Sequence, residues 1–128
     1  MAERSLVKED IDAGADLIRL LDDEGFAIRA AAWLHSEDDE AWHLLIGSDL
    51  ATHGLQDAYY RLSLALSTRP KISSRIETSR IRFVPPSDVR LGVLGRALKP
   101  GSRKPVRISN SAFEGVYIDD AVVYRAAA

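Results

Sequence analysis

The chain has 128 residues, 46% hydrophobic and 28% charged, with no cysteine and a formal net charge of −2. That balance averages two opposed halves: residues 1–64 carry 14 acidic and 5 basic side chains (−9), and residues 65–128 carry 5 acidic and 12 basic (+7). Length and composition fit one soluble globular domain with its own core, and the missing thiols exclude disulfides, thiol catalysis and thiolate metal sites. No apolar run approaches the roughly 20 residues that cross a bilayer. Met1-Ala2-Glu3-Arg4 lacks the apolar stretch of a secretory signal, so a cytoplasmic protein with no membrane partner is expected.

Ser5 is placed to cap a first helix, whose Val7, Ile11, Leu17, Ile18 and Leu21 fall at three-and-four spacing and which Gly25 ends. Two strand-like runs follow, Phe26 to His35 and Ala41 to Gly47, separated by Ser36-Glu37-Asp38-Asp39-Glu40, and read as a hairpin. With residue numbers that sum to 76 across the pair, one face would hold Phe26, Ile28, Ala30, Ala32, Leu34, Trp42, Leu44 and Ile46. The other would hold Arg29, Trp33, His35, His43 and Leu45.

A second helix, capped near Thr52, carries Leu55, Ala58, Tyr59, Leu62, Ala65 and Leu66 on one stripe. Residues Ser67 to Ser79 read as a long, mobile connection. Ser79 to Val84 alternates as a strand, with Ile81 and Phe83 on one side and Arg80 and Arg82 on the other, and Pro85-Pro86 stops it. Ser87 then caps a third helix through Leu91, Leu94 and Leu98, which Pro100-Gly101 terminates. Val106 to Ser109, Gly115 to Ile118 and Ala121 to Arg125 read as short strands, the last two joined by a turn at Asp119-Asp120. This order predicts an α+β fold: a single domain over residues 1–125, with a mainly antiparallel β-sheet of about five to six strands packed with about three helices. Residues 126–128 read as a tail outside it.

The basic excess sharpens between Arg69 and Arg107, where eleven cationic residues meet only Glu77 and Asp88. If Ile81, Phe83, Val106 and Ile108 face the core, then Arg80, Arg82 and Arg107 share the other face with Arg29, Trp33, His35 and His43. Cations that track phosphates beside a ring that stacks on bases are what single-stranded nucleic acid requires. The competing arrangement has helices on both faces of the sheet, Trp33 buried, and the basic residues paired with the acidic N-terminal half.

No RNA-recognition sheet motif, KH loop, zinc finger or helix-turn-helix accompanies the charge. His35, His43 and His53 match no metal-ligand spacing. The run Glu37 to Glu40 and the pair Asp119-Asp120 lack the alternation and glycine of a calcium loop and read as acidic turns. None of the serines sits in a glycine-flanked elbow. Gly92 and Gly95 lie in a helical pattern rather than a phosphate loop. No catalytic residue, metal or cofactor is therefore implied.

Gly25-Phe26, Ala30-Ala31-Ala32-Trp33, Trp42-His43-Leu44-Leu45-Ile46, Phe113-Glu114-Gly115-Val116 and Asp120-Ala121-Val122-Val123-Tyr124-Arg125 together resemble small bacterial proteins of unknown function. The resemblance implies no activity and no site residues. The expected function is a non-enzymatic interaction or accessory module whose basic C-terminal half docks an anionic partner, an acidic protein surface or nucleic acid. The docking residues are Arg80, Arg82, Arg103, Lys104 and Arg107, with Trp33 as a stacking or anchor residue. Two alternatives stand beside it. One is a metal-dependent hydrolase or nuclease that uses Asp119, Asp120 or the hairpin histidines. The other is a self-associating structural protein, a homo-oligomer in which acidic and basic halves of neighbouring copies meet.

Overall fold

The computed structural model describes residues 8–36, 40–96, 98, 104–113 and 115–125. Helix α1 (Lys8–Asp23) presents Ala13, Gly14, Leu17, Ile18, Leu20 and Leu21 to the core. It ends as the sequence predicts: Gly25 has φ 80°, its N–H donates to the Asp22 carbonyl, and the Phe26 N–H donates to that of Leu21 at 3.0 Å. These paired bonds satisfy carbonyls that a helix terminus leaves orphaned, and glycine adopts the required left-handed φ without steric cost.

Strands β1 (Ile28–Ser36) and β2 (Ala41–Ser48) form the expected hairpin. A short helix α2 (Leu50–His53) follows, and Gly54, at φ 134°, separates it from α3 (Leu55–Ser67). Thr52 therefore lies within α2 and is not the cap of α3. The Ser67 to Ser79 segment is ordered into helical turns, α4 (Pro70–Ser73) and a 3-10 turn over Thr78–Arg80. Pro70 opens α4 where its missing N–H costs nothing, and Ile76 is buried between the two turns. Strand β3 (Ile81–Val84) leads to α5 (Val89–Gly95), whose cap is Asp88 rather than Ser87, its carboxylate accepting from the Arg90 N–H.

The chain closes with β4 (Val106–Phe113) and β5 (Val116–Arg125), a single hairpin. The turn expected at Asp119-Asp120 is instead part of continuous β5, and the chain reverses beside Gly115, at φ 81°. Nothing in Val116 to Tyr124 supplies the Gly or Asn that a tight reversal favours.

These elements build an α+β fold on one five-stranded mixed sheet, ordered β3-β2-β1-β5-β4. Only the β2–β3 pair is parallel. Helices α1 and α3 cover one face through Leu17, Leu21, Leu62 and Leu66, against Trp33, Leu44, Ile46, Ile81, Phe83 and Val122. Helix α5 covers the other through Leu91 and Leu94, against Ala30, Ala32, Leu45, Ile108, Ala121 and Val123.

The hairpin register corrects the expected faces. Ala31 lies opposite Ile46, Trp33 opposite Leu44 and His35 opposite Trp42, one residue away from the predicted pairing. A register shift between Ile28 and Ala30 is the cause. It puts Ile28 and Ala31 in one core layer and Ala30 in the other, so alternation counted from Phe26 reverses beyond it. Ile81 and Phe83 likewise pack beneath α1 and α3 whereas Ile108 packs beneath α5, which divides a set the sequence reading placed on one face. Ser5, Glu37 to Asp39, Pro100-Gly101 and residues 126–128 lie outside the described residues. No helix among the described residues is long and apolar enough to cross a membrane.

Candidate binding surface

Two of the predicted docking residues are buried against each other. Trp33 is 0% exposed and Arg80 is 8% exposed, with the guanidinium carbon 4.6 Å from the indole ring centre. Trp33 Nε1 donates to the Tyr124 hydroxyl at 2.9 Å, which donates on to the Ile11 carbonyl at 2.6 Å. Arg80 donates through Nη1 to Asp10 at 3.3 Å and through Nε to the Trp42 carbonyl at 3.5 Å. Trp33 is thus a core residue and not a stacking platform, because the corrected register turns it beneath α1.

Of the remaining basic block, Arg75, Arg90 and Arg107 are paired with carboxylates, as is Arg125 beyond it, and two of these four carboxylates, Asp16 and Asp22, belong to the acidic N-terminal half. Arg75 reaches Asp16 at 2.8 Å and Arg125 grips Asp22 with both terminal nitrogens. Arg107 stands on β4, the sheet edge opposite β3, and donates to both Asp120 oxygens at 3.1 and 2.7 Å. Burial pushes the Asp120 carboxyl up, but hydrogen bonds from Arg107 and Ser109 and the charge of Arg107 outweigh it and hold the group below the usual carboxylate range. Lys104 is exposed just before β4, and Arg103 lies outside the described residues. The five predicted residues that are described therefore do not form one face.

Arg82 differs from these arginines. On β3 its side chain leaves the core between buried Ile81 and Phe83. Its described contacts are neutral acceptors: the Ser79 carbonyl at 2.8 Å and His43 Nε2 at 3.2 Å. A guanidinium can only donate, so His43 accepts with a bare Nε2. Two clefts of about 390 Å³ each flank this pair. The first has an apolar floor of Leu34, Leu45, Leu55, Tyr59, Phe83 and Val84, with Arg82, His43 and Arg90 at its walls. The second lies between the start of β2 and the 3-10 turn, among Glu40, Trp42, His43, Glu77, Ser79, Arg80 and Arg82.

Sequence reasoning missed one further pair. His35 Nδ1 lies 2.5 Å from Asp119 Oδ2, with His35 7% exposed and its Nε2 buried without a partner. The contact exists because β5 runs straight through Asp119 beside β1, and the signal for it was the unbroken strand character of Val116 to Tyr124. Asp120, bound by Arg107 and Ser109, is engaged separately. Among the described residues no three His, Cys, Asp or Glu side chains converge as a metal site. Searches for relatives found no matching family model, curated protein or solved structure.

Proposed function

We propose that the protein is a non-enzymatic binding module of the cytoplasm that docks an acidic, partly apolar segment of a partner protein beside β3. The observation that carries this reading is Arg82, an exposed guanidinium held by neutral acceptors at the wall of an apolar-floored cleft. Arginine in such a place offers a forked donor to a carboxylate, and Leu34, Leu55 and Val84 offer apolar area to neighbouring side chains. Nucleic acid is the weaker partner, since the indole that would stack on bases is in the core.

Fluorescence anisotropy with a labelled peptide alternating Asp and Leu tests the proposal, with a labelled single-stranded RNA beside it. Loss of a charge-assisted bond should make Arg82→Glu weaken the peptide by more than about tenfold, with an unchanged melting temperature. Joint replacement of Arg103, Lys104 and Arg107 by Glu should leave binding intact. If that triple variant and not Arg82→Glu loses the peptide, docking belongs to the β4 edge. RNA binding without peptide binding overturns the protein partner.

A further inference from the structure

Helix α3 carries a second stripe that the fold does not use. Gln56, Tyr60, Ser63, Leu64 and Ser67 recur at offsets of 0, 4, 7, 8 and 11, a spacing that puts them on one helix face, and all five are exposed. Tyr60 is 61% exposed and Leu64 51%, one turn apart. No member of the stripe is charged, in a chain of which 28% is. Its serines turn their hydroxyls back onto the helix, Ser63 donating to the Tyr60 carbonyl at 2.7 Å and Ser67 to that of Leu64 at 2.6 Å. Covering such a face strands no serine donor, and it removes the apolar area of Tyr60 and Leu64 from water.

The same helix supplies a receptor for its own ring. Beside the stripe lies a cleft of about 440 Å³ between α3 and the turn after α1, walled in part by Phe26, Arg61, Leu64, Ala65 and Thr68. Leu64 belongs to both stripe and cleft, so the surface presents a protruding aromatic ring and a hollow within one turn of it. A two-fold contact needs that self-complementarity, because residue i meets j while j meets i. Charge repeats the pattern. Asp57 and Arg61 stand at the i, i+4 spacing at which opposite charges pair along a helix, yet neither has an ion pair among the described residues. The Arg61 guanidinium lies instead over the Phe26 ring, 5.3 Å from its centre, a contact that engages its face and leaves its edge donors to a carboxylate.

We infer that α3 is a homodimer contact, packed antiparallel on α3 of a second copy about a two-fold axis between Tyr60 and Arg61. Tyr60 of each copy enters the cleft of the other beside Leu64, and Arg61 of each reaches Asp57 of the other within one turn. The core-facing side chains Ala58, Leu62, Ala65 and Leu66 keep their places. A helix of 13 residues is about 20 Å long, too short for a standard interface of about 1,600 Å², so the dimer is weak, with Kd on the order of 10–100 µM. Leu55 and Tyr59, which line the cleft beside β3, lie off this stripe, so the contact does not depend on the peptide reading.

Sedimentation equilibrium of the full chain from about 5 µM to about 1 mM provides the test. The mass should rise from one chain toward two and stop there, since a two-fold contact closes on itself. Leu64→Glu sets a carboxylate against Asp57 of the other copy and should raise Kd by more than about tenfold, with the melting temperature of dilute protein and the binding of the Asp-Leu peptide unchanged. Val89→Glu, at an apolar side chain 67% exposed on α5, should leave the dimer intact. Asp57→Arg should weaken it, and adding Arg61→Asp should restore it. A chain that stays monomeric throughout, a dimer indifferent to Leu64→Glu, or one that high salt abolishes overturns the contact. Failure of the double exchange to restore association overturns the antiparallel pairing.

Discussion

Trp33 and Tyr124 are joined by a 2.9 Å hydrogen bond that ties β1 to β5, and the Tyr124 hydroxyl passes the chain on to the Ile11 carbonyl of α1 at 2.6 Å. The indole N–H thus finds its partner inside the core, which is how a tryptophan can be wholly buried. Tyr124→Phe removes the hydroxyl and leaves a buried donor and a carbonyl unmatched. A loss of about 1–3 kcal/mol is expected, read by urea denaturation followed through tryptophan fluorescence. An unchanged midpoint would mean that these groups find other partners.

Gly14 of α1 is the reason the helix can lie this close. A Cβ there would stand 2.8 Å from Trp33 Nε1 and nearer still to the Tyr124 hydroxyl, which is bonded on both sides and cannot withdraw. Gly14→Ala should destabilise by about 1–3 kcal/mol through overpacking, although alanine favours a helix by about 1 kcal/mol. A Cβ added at Gly92, in α5, would meet nothing within 4 Å, so Gly92→Ala should stabilise slightly. Thermal melts of the two variants should move in opposite directions.

The acid and alkaline limbs of stability have separate sources. Asp120, held below the usual carboxylate range by its bonds to Arg107 and Ser109 against the opposing effect of burial, contributes stability above its unfolded pKa of about 3.9. That contribution is lost as pH falls through the lower folded value. Burial raises the Tyr124 hydroxyl, so its contribution is present below the unfolded value of about 10 and is lost as pH rises through the folded one. Asp120→Asn should flatten the acid limb of a denaturation series without altering the alkaline limb. Tyr124→Phe should do the converse.

Helix α1, the first hairpin and the apolar stripe of α3 were legible because each depends on local periodicity or on a residue with one strong preference, such as Gly25. The faces of the sheet were not. One irregularity between Ile28 and Ala30 reverses the parity of all that follows on β1, and no residue there announces it. That single step moved Trp33 from a supposed binding surface into the core. The division of Arg80, Arg82 and Arg107 has a different origin. It follows from strand order, which puts β3 and β4 at opposite edges and which local pattern does not encode. Pairing of acidic and basic halves was foreseeable from charge alone, as Arg75–Asp16 and Arg125–Asp22 illustrate.

Tyr59 bears on how a partner can approach the β3 edge. Its hydroxyl accepts from the Phe83 N–H at 3.1 Å and donates to the Ile81 carbonyl at 3.3 Å, the two backbone groups through which an added strand would pair. Edge strands left open invite pairing with another chain, and here a side chain from α3 occupies the place of that strand. A ligand beside β3 must therefore be recognised through side chains, above all Arg82, rather than by strand addition. Tyr59→Phe should uncover both groups, lower stability by about 1–3 kcal/mol, and produce concentration-dependent association in sedimentation velocity that high salt does not reverse. Association that salt abolishes would point instead to contacts between the charged halves of neighbouring copies, because exposed charges are screened over about 8 Å at physiological ionic strength.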